Sequence, residues 1–218
     1  MPDSLITLAQ PFFLRALSLV SDRNSESVGD LPRLQKDLSA ELQAIEQKVN
    51  SGLARISPED WLTAKKGLIY WADEILTNHI DGWEDFVLEH VFYAEKNRAW
   101  RFYLEGDNAM ITGSSDSAEI YYLALVLGFI GDIEGAFQEK NADMPGKRTD
   151  PEEARKYWAQ QLQSRLQQQQ SADLQGSRLE GHIDPLPSTS GLTAASAVFA
   201  LMVLCLLVLV SWNLLGRS

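Results

Sequence analysis

The sequence predicts an all-α protein. No segment sustains the period-two alternation of a half-buried strand, apolar residues recur at three- and four-residue steps, and Pro, Gly and capping side chains break the chain at helical intervals. The first helix covers Leu5 to Ser21, with a wide apolar face of Leu5, Leu8, Phe12, Phe13, Ala16, Leu17 and Val20. Pro11 either kinks it or marks a late start, because proline removes a helical donor. The serine-rich SDRNSESVGD follows as a loop. Asp30 then caps a second helix with Pro32 in its first turn. Leu31, Leu34, Leu38, Leu42, Ile45 and Val49 form its narrow apolar stripe, and Gly52 is placed to end it.

Ser57-Pro58-Glu59-Asp60 opens a third helix, with a capping hydroxyl, proline in the first turn and acids at the positive end of the dipole. It runs through Trp61, Leu68, Ile75 and Leu76 to about Asn78. After a turn at His79 to Gly82, one helix is expected from Trp83 to about Ala94, with Trp83, Val87, Leu88, Val91 and Phe92 inward. A short aromatic helix follows at Arg98 to Leu104, and EGDNAMITGSSDS reads as a loop. Ala118 to about Phe137 is apolar nearly all round, as suits the central helix of a bundle. Asp150-Pro151-Glu152-Glu153 begins a last helix that reaches the glutamine run Gln167 to Gln170.

These elements make a helical domain over residues 1–170 and a Ser-, Pro- and Gly-rich linker over 171–190. Beyond it, Leu192 to Leu215 reads LTAASAVFALMVLCLLVLVSWNLL, with no charge between Asp184 and Arg217. Roughly 20 apolar residues in a helix span the hydrocarbon of a bilayer. Residues 191–215 are therefore the expected transmembrane helix and 216–218 a short tail. The N-terminus has no basic region before its apolar residues, so a cleaved signal is not expected. A three-residue tail is cheaper to translocate than a large domain, which puts the domain in the cytoplasm. Gly191, Ala194 and Ala197 are small residues at that end of the span, candidates for close packing with another span or with a second copy of this one.

The formal net charge of the 218 residues is −11, which opposes nucleic acid and broad adhesion to anionic lipid. Cys205 is the single cysteine and lies within the apolar run, so neither an intrachain disulfide nor a thiolate metal site is available. The densest polar cluster surrounds His79: Asp73, Glu74, Asp81, Glu84, Asp85, Glu89 and His90. Helical di-metal sites need Glu-x-x-His on one face. Glu89 and His90 are adjacent instead and point about 100° apart, given 3.6 residues per turn. No Gly-x-Ser-x-Gly elbow or Walker lysine occurs either. Neither catalysis nor a cofactor is expected, although a tail-anchored helical enzyme is the competing class. Asp73, Glu74, Asp81, Glu84 and Asp85 are the candidate partner-facing surface; the alternative for Asp73 and Glu74 is to cap or bridge helices. Gly128, Gly131 and Gly135 would share one helix face and allow close helix approach.

Two stretches resemble a known family. TAKKGLIYWADEILTNHIDGWEDFVLEHVFYAE is similar to a segment of the DotU/TssL (IcmH/DotU) family, through Trp71, Asp73, Glu74, Ile75, Leu76, Trp83, Leu88 and Phe92. EIYYLALVLGFIG resembles that family's run into Leu-Gly-Phe-x-Gly, carried by Leu127, Gly128, Phe129 and Gly131. The chain departs from it in having Ala99-Trp-Arg-Phe-Tyr103 where the family has a Gly-Glu-x-Phe-Phe-like element, and in a polar loop before the second helix. The resemblance implies an inner-membrane component of a type VI secretion system with a hook-like domain of two small helical bundles. It implies as partners an IcmF/TssM-like membrane protein, a baseplate protein such as TssK and, indirectly, an outer-membrane lipoprotein. A type IVB secretion DotU is the near alternative.

Overall fold

The computed structural model describes residues 4–21, 30–54, 56–112 and 115–176. The chain divides into one unit from Met1 to Gly176 and a second from Ser177 to Ser218. The second, with the apolar run Leu192 to Leu215 and the candidates Gly191, Ala194 and Ala197, lies outside the described residues. Among the described residues no helix is long and apolar enough to cross a membrane.

The first unit is all-helical, with α1 (Leu5–Ser21), α2 (Leu31–Asn50), α3 (Pro58–His79), α4 (Leu88–Tyr93), α5 (Arg98–Thr112), α6 (Ser115–Val126), α7 (Ile133–Glu139) and α8 (Pro151–Gly176). The second and third start as their sequences dictate. Asp30 Oδ1 accepts the Arg33 N–H at 3.2 Å, and Ser57 Oγ accepts that of Asp60 at 3.0 Å. Pro11 lies inside α1, which runs through it without a break. Gly52 follows α2 in the left-handed region, at φ +72°.

The centre of the unit is α3, which packs against α1, α2, α4, α5 and α6. Every residue from Gly67 to Leu76 is buried, so the helix is enclosed on all sides. This corrects the expectation that the stretch from Ala118 to Phe137 is the central helix. That stretch is not one helix: α6 stops at Val126 and α7 starts at Ile133. Gly128 has φ +100° and donates its N–H to the Leu125 carbonyl, while the Phe129 N–H reaches that of Ala124 at 3.0 Å. This pair of bonds is a Schellman ending, in which a left-handed glycine turns the chain off the helix.

Two further expectations change. The helix expected from Trp83 to Ala94 is a 3₁₀ turn at Trp83–Asp85 followed by the six-residue α4. Trp83, Val87 and Leu88 are buried as expected, but Val91 is exposed and Phe92 only half-buried. The short helix at Arg98 instead runs on to Thr112, through residues that read as loop, and α8 extends past the glutamine run to Gly176.

Candidate functional site

Adjacent residues on α3 point about 100° apart, so Asp73 and Glu74 face different neighbours. Asp73 is fully buried. Its Oδ1 accepts the Leu88 N–H at 2.8 Å and the Trp83 indole N–H at 3.2 Å, and its Oδ2 accepts the Glu89 N–H at 2.6 Å. The carboxylate thus closes the N-terminus of α4, which has no capping side chain of its own. Burial raises its pKa from 3.8 to about 7, against the lowering pull of those N–H groups and of Arg98.

Glu89 repeats the device one helix later. It is fully buried in the first turn of α4, and its Oε1 accepts the Asn97 N–H at 2.7 Å where α5 begins. The Arg98 guanidinium stands 3.8 Å from its other oxygen and donates to Thr77 Oγ1 of α3 at 3.1 Å. Burial raises the Glu89 carboxyl, while the Asn97 N–H and Arg98 lower it.

Glu74 faces the break between α6 and α7. Its Oε1 accepts the Ile130 N–H at 2.6 Å and the Gly131 N–H at 3.0 Å. The Tyr103 hydroxyl donates to the Ile130 carbonyl, and the Asp132 N–H reaches the Ala99 carbonyl at 2.7 Å. Phe129 stacks on Phe102 with centroids 3.8 Å apart. The structure therefore joins two motifs separated in sequence: Asp73-Glu74 on one side, Leu127-Gly128-Phe129-x-Gly131 on the other.

Asp73 and Glu74 are consequently not a partner-facing surface, which corrects that expectation; they bridge helices, the alternative left open for them. Asp81, Glu84 and Asp85 are exposed. Their turn is anchored from three sides. Asp73 holds Trp83, Gln35 of α2 donates to the Phe86 carbonyl at 2.7 Å, and Lys96 donates to the Glu84 carbonyl at 3.0 Å. Gly128 and Gly131 do not share a helix face with Gly135, because they lie in the break and Gly135 lies in α7. Gly131 has φ +55°, and a Cβ there would stand 2.5 Å from the Ala99 carbonyl oxygen. Its absent side chain serves a close backbone approach and not the packing of one helix on another.

His79 and His90 are exposed, and among the described residues no group of three or more His, Cys, Asp and Glu is placed to hold a metal ion. Sequence reasoning missed Arg98 and Tyr103 as ties between helices. Charge and aromatic type alone give no sign that their polar ends are used internally.

What these contacts define is a helical scaffold. Its buried carboxylates fix short and irregular segments, and one acidic turn is held rigidly at the surface. The family model of the type VI secretion system protein DotU matches residues 4–215, and the chain belongs to that family. It is a type VI secretion component. Neither the comparison with curated proteins nor that with solved structures gave a match.

Proposed function

We propose that the chain is a non-enzymatic docking platform of the type VI secretion membrane complex, tail-anchored in the bacterial inner membrane by residues 191–215. The observation that carries this is the join of a family-matched helical unit to an apolar stretch long enough to span a bilayer, all within residues 4–215. The hook-like arrangement of two small bundles belongs to the same reading. An IcmF/TssM-like membrane protein is the proposed partner beside the span, through Gly191, Ala194 and Ala197, and a second copy of the chain competes for the same face. A baseplate protein such as TssK is the proposed partner of the helical unit, and the outer-membrane lipoprotein is reached indirectly. Restraint near the bilayer raises the local concentration of a bound partner without any new contact.

Asp81, Glu84 and Asp85 are the proposed contact for the baseplate partner. Exposed charges mainly steer encounter and select partners, and their effect is screened by salt. Glu84→Lys with Asp85→Lys should slow association with a TssK-like protein roughly tenfold at low salt, the deficit shrinking as salt rises. Thermal melting should not move, because both residues are exposed. An unchanged association rate across the salt series would remove the acidic turn from the interface.

A further inference from the structure

We draw no further inference here: the strongest candidate, the exposed apolar surface at the end of the bundle where the α2–α3 turn presents Leu53, the start of α3 presents Leu62 and the C-terminus of α5 presents Ile111, carries nothing because nothing in the structure shows what covers it.

Discussion

A single buried carboxylate, Asp73, ties α3 to the Trp83 turn and to the start of α4. Three N–H groups from the Trp83 turn and α4 converge on its two oxygens, so an amide in its place must present a donor to at least one of them. At about pH 8, where the carboxylate is ionised, Asp73→Asn should therefore cost about 2–3 kcal/mol, the penalty of a buried donor left unmatched. That loss also depends on pH, with a defined sign. The unfolded chain releases this proton near 3.8, whereas the folded chain keeps it up to about 7. Between those values the folded state binds the extra proton, so the contribution of Asp73 to stability falls as pH rises and levels off above about 7. The deficit of the Asn variant should thus be larger at about pH 5 than at about pH 8, with a slope of at most about 1.4 kcal/mol per pH unit. Chemical denaturation of both proteins across that range measures it. A deficit that stays constant, or grows with pH, would show that Asp73 is ionised throughout.

At the scale of helices, legibility in the sequence followed how locally each signal acted. The starts of α2 and α3 were readable because cap, proline and apolar stripe all lie within a few residues. The central position of α3 was not, since Lys65, Lys66, Asp73 and Glu74 lower its hydropathy. Each of these is matched by a distant group: Lys65 by Glu46 at 2.9 Å, Lys66 by Glu105 at 2.7 Å, and the two acids by N–H donors. The second half of α5 was hidden for a similar reason. Gly106, Asp107 and Asn108 are poor helix formers, yet a Cβ at Gly106 would meet the Trp158 ring at 2.5 Å, and Asp107 accepts the Trp158 indole N–H at 2.7 Å. Tertiary contact overrode propensity there. The end of α6 did carry a local signal, glycine followed by an apolar residue, which matches a Schellman ending as well as it matches helix packing. Substitution separates the two roles. Gly131→Ala combines left-handed strain with the clash on Ala99 and should cost about 2–3 kcal/mol. Gly52→Ala carries the left-handed φ alone, with nothing within 4 Å of the new Cβ, and should cost about 1 kcal/mol. Equal losses in the two melting curves would mean that the approach of Gly131 to Ala99 relaxes freely.

For the molecule as a whole, two kinds of surface must coexist: an acidic helical body and an uncharged run of apolar residues. The net charge of −11 opposes adhesion to anionic lipid, so in the proposed tail-anchored reading attachment rests on Leu192 to Leu215. The family match extends through that run to residue 215, which makes it part of the family's own length and not an addition to it. If attachment and folding are separable, ending the chain after Ser190 should move it from the membrane pellet to the supernatant while the helical unit melts at the same temperature. The reason is that α1 to α8 all lie within the unit ending at Gly176, and their buried carboxylates find their donors there. Sedimentation after carbonate washing, paired with a circular-dichroism melt, reads both parts. A truncated chain that still pellets would assign attachment to the helical body, and Glu84→Lys with Asp85→Lys would then be expected to change membrane binding as well as partner binding. A truncated chain that leaves the pellet but melts well below the full chain would instead make the apolar run a structural partner of the body, and the docking platform would exist only in the membrane.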